Sequence, residues 1–315
     1  MRQYILIRLL QLIPVLLLAS IAIWALVYLL PGDPALSILG QNAEPAQVAA
    51  LRRQLGLDEP IPVQYVQWLG RIVHGDLGMS YQSGLPVTTL IGPRAVASLQ
   101  LGVLAFLFSI LVGVPLGVVA AARPGGWVAR LVSTYNSLTL ALPSYWLGIL
   151  LILCFGVWLK VLPTASAYVP IWTDPGAAIQ MSILPILNLG LYVSGIIARF
   201  VRSAMTDVLG LDYIRTARAK GVVEPAVVWR HGLRNALLPT VTVLGLQFGA
   251  FIGGAVVTEG VFNYPGMGQL VLSSVLNRDY PTVQATILLI VLAFTVVNLA
   301  VDIVYAFLDP RVHFA

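Results

Sequence analysis

Long apolar runs separated by short polar stretches dominate this chain, and their lengths define its elements. A helix rises about 1.5 Å per residue, so roughly 20 apolar residues cross a hydrocarbon core of about 30 Å. Six runs approach or exceed that length: Leu9–Leu30, Ala97–Ala122, Leu131–Leu159, Ile183–Phe200, Leu237–Thr258 and Val283–Leu308. The pattern predicts an all-α integral membrane protein with six transmembrane helices. Pro14 and Pro115 fall inside two of the runs, where a missing N–H and a ring clash kink or interrupt a helix. The first run follows a basic start but is longer than a signal-peptide core and ends in LLPGDP without a small-residue cleavage site. It is therefore read as an uncleaved first span.

Between the first two spans lies a polar segment, Pro31 to Val96. Within it Gln47–Leu55 and Val63–Val73 repeat apolar residues at helical spacing, and Pro60 and Pro62 separate them, so two short surface helices are expected there. The chain divides accordingly into a first span (1–30), this insertion (31–96), a transmembrane core (97–308) containing a polar loop (203–236), and a tail (309–315).

Composition agrees with the pattern. The chain is 58% apolar and 10% charged, against about 25% charged in an average soluble domain. The net charge of +5 lies mostly between spans, which gives the bases a topological rather than a nucleic-acid-binding use. With the N-terminus cytoplasmic, 12 of the 18 Lys and Arg fall inside, the bias expected of insertion. The insertion 31–96 is then extracytoplasmic, and both termini and the 203–236 loop are cytoplasmic.

Several chemistries are missing from the sequence. Neither lysine, Lys160 or Lys220, stands before Ser or Thr in a phosphate-binding loop. His74, His231 and His313 fall in three different polar segments without metal-ligand spacing, and the single cysteine, Cys154, lies in an apolar run where it reads as a small hydrophobe. No serine stands in a Gly-x-Ser-x-Gly elbow. The residues point to no enzyme, no cofactor and no metal. Asp302 is the one carboxylate within a span. It supports an alternative, an ion-coupled secondary transporter using Asp302, but pairing with a nearby arginine or exposure to headgroup water explains it better. Uncharged polar residues inside spans, Asn136, Asn188, Gln247 and Asn298, are candidates for lining a path or for bonding helix to helix. Gly245, Gly249 and Gly253 form an i, i+4 stripe suited to close helix packing, within the chain or against a partner.

The segment RTARAKGVVEPAVVWRHGLRNALLP, residues 215–239, gathers Arg215, Arg218, Lys220, Arg230 and Arg234 between two apolar runs. Its first part is helix-compatible and ends at Gly221, a natural C-terminal stop. Glu224-Pro225 then suits a new helical start. Two short cytoplasmic helices joined at a glycine are expected, with small residues Thr216, Ala217 and Ala219 letting the first seat in a partner's groove.

This segment resembles the EAA loop of binding-protein-dependent ABC importer permeases, in which Glu-Ala-Ala, three residues, a glycine and a later Leu-Pro recur. Here Arg215-Thr216-Ala217, Gly221 and Leu238-Pro239 take those positions, with Arg215 replacing the glutamate. The replacement is similar to the B-type permeases for dipeptides, oligopeptides and nickel, with Tyr213 through Gly221 and RHGLRNALLP matching their pattern. LGLDEPIPVQYVQWL, GDLGMSY and Asp309-Pro310-Arg311 agree with the same group. The resemblance implies a type I ABC importer permease fold with an extracytoplasmic insertion between helices 1 and 2, in a bacterial inner membrane. It implies a heterodimer with a homologous second permease, two cytoplasmic ATPases, an extracytoplasmic solute-binding protein and a peptide-like solute. In that scheme Tyr213, Arg215, Thr216, Ala217, Arg218, Lys220 and Gly221 form a coupling helix carried to Leu238 and Pro239, and the chain itself hydrolyses no ATP.

Overall fold

A computed structural model describes the backbone of residues 2–29, 33–40, 43–54 and 56–308; within those helices some side chains, including those of 2–7, 238, 239, 252–254, 302 and 304–308, lie outside the description. The regular structure among the described residues is helical, with one isolated antiparallel bridge, Met79 to Pro86. The helices are α1 (Arg2–Leu29), α2 (Pro34–Leu39), α3 (Pro45–Gln54), α4 (Ile61–Val73), α5 (Val87–Ala122), α6 (Trp127–Ala141), α7 (Ser144–Leu151), α8 (Pro175–Leu209), α9 (Asp212–Ala219), α10 (Glu224–Ala226), α11 (Leu233–Val261), α12 (Met267–Leu276) and α13 (Tyr280–Leu308).

All six expected spans fall on helices, with one correction. The third is not a single rod. Its α6 and α7 meet at 107°, because Pro143 cannot donate to the carbonyl one turn back and forces Leu142 into an extended conformation (φ −85°, ψ 126°). Past the bend the helix widens to i→i+5 bonding over Ile152–Trp158, closed by Leu159 N–H to Cys154 O at 2.9 Å. Pro14 and Pro115 interrupt nothing; α1 and α5 run through both. Among the described residues, α1, α5, α8 and α13 are each long and apolar enough to cross a bilayer, and α6 with α7 makes a fifth if the bent pair crosses once. Helix α11, on the fifth expected span, contains undescribed side chains and is outside that count.

Helix α8 runs well beyond its apolar stretch. At 35 residues α8 is about 52 Å long, beyond the hydrocarbon thickness, because polar turns around Arg202 and Asp207 continue it into water. Its N-terminus is capped by Asp174, whose carboxylate accepts from Ala177 N–H at 2.9 Å.

The chain forms two compact units. One holds residues 99–264 and 296–315. In it α8 is the central helix, with Leu184, Asn188, Ser194, Ile197, Ala198, Val201 and Met205 all buried. Glycines let neighbours touch its backbone: a Cβ on Gly113 or Gly117 of α5 would lie 2.7 Å from Ser194 O or 2.6 Å from Ala198 O. Gly195 of α8 faces Thr139 of α6 as closely, at 2.2 Å from Oγ1.

The other unit holds residues 2–98 and 265–295. In α1, Ser20 shares a 2.8 Å hydrogen bond with the Tyr65 hydroxyl of α4, and Trp24 meets the same ring edge-on. Asp279, 2% exposed, accepts from Ser80 Oγ (2.6 Å), Tyr81 N–H (2.9 Å) and Thr282 Oγ1 (2.8 Å), which satisfies a buried carboxylate and pins the Met79–Pro86 turn to the start of α13. Val87, Ile91, Met267, Leu270 and Ala285 form the apolar core there. Helices α3 and α4 fall on the two helical stretches expected within 31–96, and a further short helix, α2, precedes them, capped by Asp33 through Ala35 N–H. Leu55 lies outside the described residues.

Candidate functional site

The bend at Leu142-Pro143 opens a cavity of about 520 Å³ inside the first unit. Leu140, Leu142, Leu189, Val193 and Phe251 give it apolar walls; Ser144, Asn188, Tyr192 and Gln247 supply its polar groups. An apolar pocket with a few convergent polar groups is the usual form of a small-solute site, and 300–1,000 Å³ is the typical volume.

Asn188 is fully buried on α8. Its Nδ2 donates to Thr258 Oγ1 of α11 at 2.8 Å, and its Oδ1 has no partner. A buried amide oxygen without a donor is costly, and a turn of the Asn188 side chain toward the cavity would let a ligand relieve that cost. The structure thus brings Asn188 and Gln247 to one cavity. Asn136 is also buried with an unpartnered Oδ1, but it lies away from that cavity, as does the half-buried Asn298. Ser144, Tyr192 and Phe251 went unrecognised in the sequence. Pro143, in the middle of an apolar run, was the signal that marks the site.

The glycine stripe packs within the chain at its first position: a Cβ on Gly245 would lie 2.1 Å from Val301 Cγ1 of α13. Gly249 is buried, and the surroundings of Gly253 lie outside the described residues, as do the side chains of Asp302, Leu238 and Pro239 and all of His313. His74 caps α4 through a 2.8 Å contact from Nδ1 to Gly70 O, and Cys154 is half-buried in the widened turn.

The basic segment folds as a helix, a turn and a re-entry. Helix α9 ends in a Schellman turn: Gly221 N–H bonds Arg218 O (3.0 Å), Val222 N–H bonds Ala217 O (3.2 Å), and Gly221 takes φ +78°, open to glycine at little cost. The second helix is not a separate short one. Helix α10 passes through an i→i+5 stretch, Val227–Gly232, directly into α11, so the loop's return limb and the fifth span are one continuous helix. A proline at the first turn of α10 and apolar Val227 and Val228, both buried, explain why the chain re-enters at once.

Ile214 is the fully buried anchor of α9. Tyr213 ties that helix to the return limb, its hydroxyl accepting from Asn235 Nδ2 at 2.7 Å and donating to His231 O at 3.3 Å. Gly232 leaves room for Met205 and Leu209 of α8. Arg215 pairs with Asp212 one turn earlier (3.2 Å), and Arg218 makes a two-pronged pair with Glu224 (2.7 and 3.1 Å). Glu224 is held below the usual carboxylate range by its hydrogen bonds from Arg218. Among the described residues Lys220, Arg230 and Arg234 make no ion pair, so the loop presents uncompensated positive charge. Leu211, Tyr213, Val223 and Trp229 are large apolar side chains exposed on it. Thr216 bonds Asp212 O one turn back, at 2.9 Å, and Ala217 is half-buried.

Apolar crossing helices around a solute-sized cavity, with a rigid basic turn at one end, define a membrane transport subunit. The family model described as binding-protein-dependent transport system inner membrane component matches residues 113–314, and its N-terminal companion matches residues 1–94. The chain belongs to this family, and is a permease subunit of an ABC importer, a transport component that works with a solute-binding protein and ATPase subunits.

Among curated relatives, the glutathione transport system permease protein GsiC of Salmonella paratyphi A (strain ATCC 9150 / SARB42) is 44% identical over 314 residues, covering 100% of both chains. The protein of the same name from Escherichia coli (strain K12) is 43% identical over the same span and coverage. Among solved structures, an inward-facing form of the MetNI methionine ABC transporter aligns with a TM-score of 0.54 at 19% identity, covering 68% of this chain and 93% of that one. An amino acid ABC transporter with histidines aligns at 0.50 and 16%, covering 71% and 95%. These structures share the fold of this chain.

Proposed function

We propose that this chain forms one half of the translocation pathway of an importer for small peptides, glutathione among them, in a bacterial inner membrane. A homologous second permease supplies the other half. Two ATPases engage α9 and its Gly221 turn on the cytoplasmic side, where both termini lie, and a solute-binding protein docks on the extracytoplasmic side, which carries the 31–96 insertion. ATP hydrolysis belongs to the partner subunits.

The cavity at the broken span carries this reading, since it brings Asn188, Gln247, Ser144 and Tyr192 together among otherwise apolar walls. A peptide group offers a donor and an acceptor to such amides, and an apolar path with only a few of them binds weakly enough to release its load. The relatives' glutathione assignment supports a peptide solute, glutathione being one. The exposed apolar and basic turn supports docking to a protein groove with an acidic rim, charge giving orientation and on-rate.

The test is uptake by the complete importer in proteoliposomes. Asn188→Leu and Gln247→Leu are expected to cut peptide uptake about tenfold, the worth of one buried polar contact, with stimulation of ATP hydrolysis by loaded binding protein preserved. Wild-type uptake in both variants would remove the cavity from the path.

A further inference from the structure

The unit built from residues 2–98 and 265–295 contains a second cavity, of about 730 Å³, between the end of α3, α4, the 76–81 loop and the first turns of α13. Its chemistry is unlike the first. Arg53 and Arg71 line it together with Glu59 and Asp76, two cations and two anions. Among the described residues none of the four is in an ion pair; Arg53 Nε donates to Ala49 O at 3.3 Å and Asp76 Oδ1 accepts from Gly78 N–H at 2.9 Å.

Gln284 of α13 lines the same cavity, is only 8% exposed, and makes no side-chain hydrogen bond. Its amide therefore presents donor and acceptor to the cavity, open to water or to a ligand. Trp68, 9% exposed, adds an apolar wall, and Tyr81, whose phenol burial pushes up, stays a neutral donor.

Each of these groups matches one part of a small peptide. Guanidinium takes a carboxylate in a planar two-bonded fit. Carboxylates take an ammonium, and a primary amide is the complement of a peptide group, donor to acceptor and acceptor to donor. The balance of two positive and two negative groups disfavours a net anion or cation and favours a molecule carrying both charges apart. A volume in the range of small-molecule sites leaves room for two or three residues.

We propose that this cavity is a second solute site, distinct from the transport cavity, that binds a free zwitterionic peptide by its two termini and a peptide group. The proposal rests on the transport reading only for the choice of peptides as the solute class.

The experiment uses the complete importer in nanodiscs, without its binding protein, and measures equilibrium binding of trialanine and of N-acetyl-trialanine amide. Saturable binding of trialanine is expected, weakened at least about tenfold by capping both termini, by Arg71→Gln and by Glu59→Gln, two exposed positions that spare folding. Gln284→Leu is expected to weaken it comparably, while Asn188→Leu leaves unchanged the part of the binding that Arg71→Gln removes. No saturable binding to the wild-type importer would overturn the site, as would equal affinity for capped and free peptide. Loss in Asn188→Leu without loss in Arg71→Gln would do the same, assigning all binding to the transport cavity. If Arg71→Gln left trialanine affinity unchanged and, with the binding protein added back, altered only its capture, the surface would be a protein dock and the proposal would fail. The uptake assay of the transport cavity can fail without touching any of these outcomes.

Discussion

Arg218 and Glu224 clasp each other across the Gly221 turn, Nη2 to Oε1 at 2.7 Å and Nε to Oε2 at 3.1 Å. Each also sits at the favourable end of a helix, the cation in the last turn of α9 and the anion in the first turn of α10. Both are substantially exposed, so the pair is worth at most about 1 kcal/mol. Its consequence is geometric: it fixes the angle at which α9 leaves the return limb, and with it the shape offered to a partner.

Acidification should loosen this clasp. Glu224 has a folded-state pKa below its ordinary value, so its contribution is fully present above about pH 4.5, the ordinary carboxylate value, and fades as pH falls through the lowered one. The protection of the Gly221 and Val222 amides against hydrogen exchange in the purified importer, taken relative to the intrinsic rate at each pH, should therefore fall below that range. Glu224→Gln should show the lower protection already at neutral pH and no further step on acidification. Identical profiles in the two proteins would remove the clasp as the cause.

Gly221 owes its place to its backbone alone, since no atom lies within 4 Å of a Cβ built there and φ is +78°. Gly221→Val should cost about 1–2 kcal/mol of local stability from the left-handed conformation, and Gly221→Asn less. Uptake per ATP hydrolysed should fall in that order, Val below Asn below Gly. Gly221→Pro, which also deletes the bond to Arg218 O, should be the most uncoupled while still assembling. Equal coupling across the series would show that the turn does not transmit force.

The crossing of α5 and α8 is held open to nothing larger than hydrogen. Gly117→Val should strain it by about 1–3 kcal/mol, the range for overpacking, because the obstacle is the Ala198 carbonyl and the Val201 side chain rather than a movable tip. Gly70→Ala, in open space on α4, is the control and should leave the melting temperature of the detergent-solubilised importer unchanged. A Gly117→Val protein melting with the wild type would mean that the two helices are not packed this closely.

The spans and the basic turn were legible because hydropathy period and turn chemistry act locally. Gly221 as a stop and Glu224-Pro225 as a start needed only their neighbours, and the Schellman bonds at Gly221 are the outcome. Asn188 and Gln247 stood out as polar residues in apolar runs, but so did Asn136, and nothing local says which of them share a cavity. The break at Pro143 was hidden because the run from 131 to 159 stays apolar on both sides of it. Hydropathy reports the surroundings of a span, not its direction. The α8 helix outran its apolar core for the converse reason: helix formation continues through Arg202 and Asp207, where transfer to lipid stops. The cavity around Arg71 and Gln284 unites residues of α4 and α13, far apart in sequence, and no spacing rule reaches that far.

Pro143 is the sharpest test of whether the bend makes the transport cavity. Leu142 is extended because a proline follows it, and the carbonyl at Thr139 loses its partner one turn on because that proline has no N–H. Pro143→Ala restores the donor and releases Leu142 to the helical region, so α6 can grow toward α7 and the walls formed by Leu140, Leu142 and Ser144 should draw away from Asn188. Peptide uptake should drop several-fold in proteoliposomes, while the importer still assembles and its ATPase still responds to loaded binding protein. Pro14→Ala is the matched control: α1 runs unbroken through an exposed proline, so restoring a donor there should raise helix stability by up to about 3 kcal/mol and leave uptake as it was. If Pro143→Ala transports at the wild-type rate, the cavity at the bend is not the route, and the free oxygen of Asn188 serves packing alone.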